Sequence, residues 1–212
     1  DITIPLDPQK TPQENAHKYF AKYNKQKRTF EALSELIQET ADEISYLESV
    51  SNSLDIALSE ADLGQIKEDL TASGYVRRKF TKKKVKLTNK PMHYISSDGY
   101  DIYVGKNNIQ NDELTFSFAN GGDWWFHAKG APGSHVIVKT NGDELPDRTF
   151  EEAGRLAAYY SKNRGSDKVE IDYIEKKHVK KPNGAKPGFV VYYTNYSLVI
   201  DSDISNIKVV QD

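Results

Sequence analysis

One uninterrupted helix-forming stretch constrains the fold of this chain more than any other feature. Between Pro12 and Val50 the sequence contains no further proline and no glycine. Thr11 is suited to cap a helix that begins at Pro12, with Glu14 in its first turn. Apolar or near-neutral residues then recur with alternating spacings of three and four, which predicts a long helix with a heptad seam. The seam consists of Phe30, Leu33, Ile37, Thr40, Ile44, Leu47, Ser51 and Leu54.

A second, shorter helix follows the long one. The Ser51-Asn52-Ser53 stretch weakens the first helix, and Ser59 and Asp62 form a capping-box-like start for the next. This second helix ends near Gly74, a residue suited to the position after a helix. We therefore expect an antiparallel coiled-coil hairpin over residues 1–76. A packed helical subdomain is the open alternative.

The composition describes an ordered protein without cysteine chemistry. Of its 212 residues, 37% are hydrophobic and 28% are charged, and cysteine is absent. Disulfides and thiolate metal sites are therefore excluded. No signal-peptide core and no run of about 18 apolar residues is present, so we expect no membrane insertion. Because Asp1 is not a natural start, we expect the chain to be a fragment.

The net charge of −2 hides a strongly basic segment at residues 77–91. Between Val76 and Pro91 there are eight Lys and Arg residues and no acidic residue. These cations repel one another in the free protein. Binding to a polyanion would neutralise them and would be favoured by the release of counterions. We interpret the segment as a basic linker that contacts nucleic acid. A solvated linker and a membrane-surface contact are the alternatives.

Short alternating segments with turns replace the heptads after Pro91, which predicts an α+β domain over residues 92–212. Asp98-Gly99 is typical of a hairpin turn between two strands. Thr149 and Glu152 have capping-box spacing and predict the start of a helix. Residues 169–174, 189–193 and 198–200 are interpreted as strands of a largely antiparallel sheet. A basic loop at 180–188 lies between the first two of them.

The stretch from Gly121 to His135 combines both tryptophans with two histidines and a Pro-Gly turn. Trp124 and Trp125 are adjacent on a predicted strand and point to opposite faces, so one is expected in the core. The other could present its ring to a ligand, although both could be structural. The histidines lack a metal-ligand pattern, and the elbow of a serine hydrolase is missing. We therefore expect no metal, no cofactor and no catalysis by this chain alone.

Several motifs in combination resemble the NFACT family. The chain resembles the C-terminal half of its members, as the coiled-coil middle region followed by the NFACT-R domain. Trp124 lies where the family pattern is loose, which favours Trp125 as the functional residue. The matching segments are Leu6-Asp7-Pro8, Ser97-Asp98-Gly99-Tyr100, Val104-Gly105-Lys106-Asn107-Asn108, Gln110-Asn111-Asp112, Asp123-x-Trp125-Phe126-His127, Pro132-Gly133-Ser134-His135-Val136, Ala157-Ala158-Tyr159-Tyr160-Ser161 and the run from Val179 to Gly188.

The resemblance implies a role in ribosome quality control. RqcH-like members bind large ribosomal subunits that are obstructed by peptidyl-tRNA, engage alanyl-tRNA and support template-free alanine tailing of stalled nascent chains. The implied partners are the large subunit, through rRNA and ribosomal proteins, and tRNA, and the implied location is the cytoplasm. Streptococcal members have also been described as surface-exposed adhesins that bind fibronectin. That activity is the alternative function, with a surface-associated pool.

Contacts to RNA or the ribosome are expected from cations in the linker and loops and from polar and aromatic residues of the motifs. These candidates are Arg77, Arg78, Lys79, Lys82, Lys83, Lys84, Lys86, Lys106, Asn107, Asn108, Trp125, His127, Lys129, Ser134, His135, Lys177, Lys180, Lys181 and Lys186.

Overall fold

The computed structural model describes residues 2–77 and 89–210, and the six linker candidates from Arg78 to Lys86 lie outside them. The described residues divide into two compact units, Asp1–Ser45 and Tyr46–Asp212. In chain order the elements are α1 (Pro12–Ile56), α2 (Glu60–Ala72), β1 (Met92–Ile95), β2 (Asp101–Val104), α3 (Asn108–Asp112), a π-helical segment (Glu113–Phe118), β3 (Trp124–Ala128), β4 (Val136–Val138), α4 (Asp147–Tyr159), β5 (Val169–Glu175), a 3₁₀ turn (Lys176–His178), β6 (Tyr196–Ile200) and β7 (Lys208–Val209).

The first unit contains an extended lead-in and the first part of α1. Thr11 and Glu14 form the expected cap: the Thr11 backbone N–H donates to Glu14 Oε2 at 2.7 Å, and the Glu14 N–H donates to Thr11 Oγ1 at 3.3 Å. The predicted seam is largely exposed here, since Phe30 is 72% and Ile37 is 68% accessible. The residues that the structure describes therefore leave this part of the seam uncovered.

In the second unit, the end of α1 packs against α2 through Tyr46, Val50 and Ile66, with Leu70 at the edge of the cluster. The helix continues through the serine-rich stretch that we expected to weaken it. The Ser53 hydroxyl donates to the carbonyl of Ser49 at 2.9 Å, so the side chain is satisfied within the helix.

The ends of α2 follow the sequence prediction. Ser59 and Asp62 form a capping box at its start. At its end, Gly74 has a φ of 85°, and the N–H of Tyr75 donates to the carbonyl of Leu70 at 2.9 Å. This is a Schellman closure, which requires the left-handed backbone that glycine adopts without strain.

A seven-stranded sheet organises the rest of the second unit. The strand order is β6-β5-β3-β4-β2-β1-β7, and every pairing is antiparallel. The predicted α+β class with an antiparallel sheet is confirmed. The predicted hairpin at Asp98-Gly99 joins β1 to β2, and Gly99 has a φ of 89°.

Apolar layers cover both faces of the sheet. On one face, α4 packs over Ile102, Phe126 and Ile171. On the other, the π-helical segment and residues 179–192 cover Trp125 and Ile137. The prediction of a strand at residues 189–193 is wrong, because this segment has only an isolated bridge, from Val191 to Lys180.

The predicted capping box at Thr149 is also wrong. Helix α4 begins at Asp147, so Thr149 and Glu152 lie within its first turns. Both side chains bind the β1–β2 turn instead. Thr149 Oγ1 donates to Asp98 Oδ2 at 2.9 Å, and the Ser97 N–H donates to Glu152 Oε2 at 2.8 Å. The Glu152 carboxylate and the Thr149 hydroxyl therefore attach the β1–β2 hairpin to α4.

Candidate nucleic-acid interface

Strand β3 places its two tryptophans on opposite faces of the sheet, and both faces are covered. Trp124 lies on the α4 face, with its ring 4.9 Å from that of Phe150 in an edge contact. Trp125 has none of its surface exposed and packs with Leu114, Ile137 and Ile174. A ring without accessible surface cannot stack on a base, so Trp125 is a core residue in this structure rather than the contact residue that we expected.

The two histidines of the same motif face the same side as Trp125. Their ring centroids are 5.5 Å apart, and His135 Nδ1 lies 2.8 Å from Thr115 Oγ1. Burial lowers the pKa of His127 to about 4 and lowers the pKa of His135 well below its usual range. Both imidazoles are therefore uncharged at neutral pH and supply no cation for a phosphate.

His135 and Ser134 are also inaccessible. Each is no more than 2% exposed, and the Ser134 N–H donates to the carbonyl of Tyr160 at 2.9 Å. Neither can contact RNA in this arrangement, whereas His127 is half-buried. No group of three His, Asp or Glu residues in the described ranges is arranged to hold a metal ion.

The Lys106-Asn107-Asn108 segment binds α2 rather than facing solvent. Asn107 Oδ1 accepts the N–H of Gln110 at 3.0 Å and so caps α3, while its Nδ2 donates to Gln65 Oε1 at 2.8 Å. Lys106 Nζ lies 3.3 Å from Asp62 Oδ1. These side chains are satisfied inside the protein.

Asn108 completes this buried set, which we call the polar joint (Asp62, Gln65, Asp69, Lys106, Asn107, Asn108 and Gln110). Its Nδ2 donates to Ser49 Oγ at 2.9 Å and to Asp69 Oδ2 at 3.2 Å. Asn107 and Asn108 are each less than 5% exposed, so this structure places both side chains, which we expected to contact RNA, inside the protein. Their amides instead join α1 and α2 to α3, where an unpaired polar group would be costly.

The basic loop at 180–188 is held in one conformation by an acidic residue of the neighbouring motif. Asp112 forms an ion pair with Lys181, and its Oδ1 accepts the N–H of Gly188 at 3.0 Å. Lys181 Nζ also donates to the carbonyl of Lys186 at 3.2 Å. The Lys180–Val191 bridge closes the base of the loop. The loop is therefore preorganised.

Lys186 reaches from this loop to the base of the helical pair. Its Nζ lies 4.2 Å from the ring centroid of Tyr46 and 5.4 Å from that of Tyr75. The two rings are stacked with centroids 5.7 Å apart. This cation–π contact holds the loop against α1 and the end of α2.

We expect Gly188 to be far less tolerant of substitution than Gly184, its partner in the loop. Both have positive φ, of 81° and 75°, so an added side chain strains both by about 1 kcal/mol. A Cβ at Gly188 would also lie 2.7 Å from Asn108 Oδ1, whereas no described atom lies within 4 Å of one at Gly184. Chemical denaturation should show that Gly188→Ala lowers the free energy of unfolding by about 2 kcal/mol or more. Equal losses for both variants would contradict the close packing on the polar joint.

The remaining candidate cations are all accessible to solvent. They differ in whether a carboxylate of the same chain pairs with them. Lys129 pairs with Glu170, and Lys177 pairs with Glu175, each with about half of the lysine side chain accessible. Lys180 is exposed, and no carboxylate in the described ranges pairs with it. Arg77 is exposed at the point where the described part of the helical region ends.

Sequence reasoning missed two exposed aromatic side chains beside this loop. Phe189 is 51% and Tyr193 is 85% accessible. Both residues belong to the segment 189–193 predicted as a strand, and a strand in a covered sheet would bury alternate side chains. The signal that could have identified them is an aromatic residue directly after a Pro-Gly pair in a basic segment, since such rings serve as stacking surfaces for nucleic acid bases.

Two family models match the chain. Residues 1–89 match "NFACT N-terminal and middle domains", and residues 90–194 match "NFACT protein RNA binding domain". The chain is 45% identical over 209 residues to the Rqc2 homolog RqcH of Streptococcus suis, which covers 98% of this chain and 37% of the relative. It is 43% identical over 209 residues to the Bacillus subtilis protein of the same name, covering 97% and 36%.

A solved structure has the same fold. The C-terminal part of the fibronectin/fibrinogen-binding protein from Streptococcus suis matches with a TM-score of 0.82 and 43% identity, over 94% of this chain and 80% of that one. The chain spans just over a third of the length of the curated relatives above. Within the described ranges, no helix has the length and apolar character needed to cross a membrane.

Proposed function

The chain belongs to the NFACT family, and from that premise we propose that it is the RNA- and ribosome-binding part of a ribosome quality-control factor. The observation that carries the proposal is the match of residues 90–194 to the family's RNA-binding domain. The sequence relatives, which match over nearly the whole chain, support the same assignment. The proposed partner is the large ribosomal subunit.

The geometry of the basic loop supports a role in phosphate binding. Lys180 and the accessible part of Lys181 lie on a loop that Asp112 already holds in place. A loop ordered before binding loses less conformational entropy when it meets its ligand. Phe189, at the end of the loop, adds an accessible ring on which a base could stack.

The basic segment preceding the domain adds the larger charge. It contains eight cations and no acidic residue between Val76 and Pro91. Lysine contacts with phosphate release counterions and dominate sequence-independent affinity. We therefore assign the linker to the electrostatic part of binding and the basic loop to positioning.

The proposed activity of the whole protein extends further than this chain. It consists of binding obstructed large subunits and tRNA and supporting template-free alanine tailing in the cytoplasm. In that process the chain binds the ribosome and catalyses no reaction of its own.

A second candidate function is a fibronectin-binding module exposed at the cell surface. The favouring observation is the similarity to a solved chain whose title names it a fibronectin/fibrinogen-binding protein. Such a module would use protein surface rather than phosphate contacts. Its affinity would therefore change little with salt compared with an RNA contact.

Binding of the 212-residue chain to two immobilised ligands separates these functions. We expect retention by purified large ribosomal subunits at 50 mM salt and a loss of affinity of at least about tenfold at 200 mM salt, because several phosphate contacts are involved. Purified fibronectin on a second surface is the comparison. Salt-resistant binding to fibronectin together with no binding to large subunits would favour the adhesin.

A further inference from the structure

Strand β6 forms an open edge of the sheet. It stands at the end of the strand order and pairs with β5 on one side. Its sequence from Tyr196 to Ile200 contains no lysine and no proline, which are the residues that commonly protect an edge. Tyr196 and Val199 are each 62% accessible. Such an edge is a template for another strand.

The register fixes which backbone groups face outward. The N–H of Lys129 donates to the carbonyl of Glu170 at 2.9 Å, so the even-numbered residues of β5 bond to β3. The odd-numbered residues of β5 therefore bond to β6, where their partners are Tyr196, Leu198 and Ile200. The remaining residues of β6, Ser197 and Val199, direct their N–H and C=O groups away from the sheet. In the described ranges neither residue has a backbone hydrogen bond outside the β5 pairing.

We propose that β6 pairs with β6 of a second copy of this chain, antiparallel and centred on Leu198. In this register the outward groups of Ser197 meet those of Val199 of the second copy, and the reverse pair forms by symmetry. Four hydrogen bonds result, and the sheet becomes continuous across both copies. A two-fold interface of this kind requires one patch to complement itself.

The side chains on both sides of the centre satisfy that requirement. Tyr196 lies opposite Ile200 of the second copy, an aromatic–β-branched pair on the α4 face. One position further out, the uncharged Asn195 lies opposite Asp201. Acidic residues therefore never face each other, although Asp201 and Asp203 are both near this end of the strand. A second copy fits the edge without any like-charge pair.

Sedimentation equilibrium of the 212-residue chain tests the proposal. We expect the weight-average mass to rise from 24.0 kDa towards about twice that value with increasing concentration. In Val199→Pro the outward N–H is lost while the β5 pairing is kept, and the rise should disappear. Val199→Thr keeps the donor and the branched side chain, so it should still associate. Val199→Lys, which places charge at the edge, is the second variant should the proline variant unfold.

A cross-linking experiment tests the proposed pairing register of the two β6 strands. The chain has no cysteine, so Leu198→Cys introduces a single thiol that lies opposite itself in the proposed pair. We expect disulfide-linked dimers of this variant and none for Asp143→Cys, in the Asn141-Gly142 turn. A wild-type mass that stays at 24.0 kDa at all concentrations overturns the proposal and leaves β6 to a different partner strand. Equal association of wild type and Val199→Pro overturns it as well.

Discussion

Trp125→Ala is expected to lower the free energy of unfolding by about 3–5 kcal/mol, the range for removing a fully buried large aromatic side chain. Trp125 has no exposed surface and packs against Leu114, Ile137 and Ile174. The cavity would open between the sheet and the segments that cover it, where relaxation is restricted by the strand pairing on both sides of β3. Chemical denaturation monitored by circular dichroism measures the loss.

Two control variants separate packing from ligand contact. Trp125→Phe leaves a smaller cavity, and Trp125 Nε1 has no hydrogen-bond partner among the described residues, so the loss should be only about 1–2 kcal/mol. Phe189→Ala removes an accessible ring and should change stability by less than about 0.5 kcal/mol. If folded Trp125→Ala retained full stability but lost RNA binding, Trp125 would return to the contact surface.

The sequence was informative where local chemistry decides the structure. The Thr11–Glu14 cap, the Ser59–Asp62 capping box and the Gly74 helix end are all present, because each depends on residues within one turn. The Asp98-Gly99 hairpin likewise depends on a local preference, because Gly99 adopts the left-handed backbone of the turn, with a φ of 89°, without strain.

Prediction failed where a distant partner changes the role of a side chain. Thr149 and Glu152 have the spacing of a cap, yet they bind the β1–β2 turn about fifty residues earlier in the chain. Asn107 and Asn108 are polar residues after a strand and could equally face solvent. They are buried because Gln65 and Asp69, on a separate helix, supply their hydrogen-bond partners.

The same limit applies to the candidate site. A pair of adjacent tryptophans on a strand indicates one ring on each face, but only the fold decides whether each face is covered. Residues 179–192 cover the Trp125 face, and they do so as an irregular segment rather than the strand that alternation predicted. Trp125, Phe126 and His135 of the motif are consequently part of the core, whereas Lys129 in the same motif and Lys180 in the loop beside it are accessible.

The second large effect is expected from reversing the charge of the linker. In the triple variant Lys82→Glu, Lys83→Glu and Lys84→Glu, three proposed phosphate contacts are lost. At about 0.15 M salt this should weaken binding to large ribosomal subunits on the order of a hundredfold, since each contact contributes roughly fivefold through counterion release. Equilibrium binding to purified subunits, followed by cosedimentation, measures the change.

A matched variant controls for overall charge. Lys10→Glu, Lys168→Glu and Lys208→Glu change the net charge by the same amount at three exposed, separate positions. We expect this variant to bind within about threefold of the wild type, because screening limits the effect of distant charges. Equal weakening in both variants would show that net charge, rather than the linker, governs affinity.

The salt dependence of binding to large subunits tests the central proposal most directly. For the wild-type chain, the logarithm of the association constant should fall linearly with the logarithm of salt concentration. The linker variant should show a slope smaller in magnitude by about 3, one unit for each lost phosphate contact. Identical slopes for wild type and linker variant, or binding of the wild type that does not depend on salt, would contradict the proposal that this chain grips the ribosome through RNA phosphates.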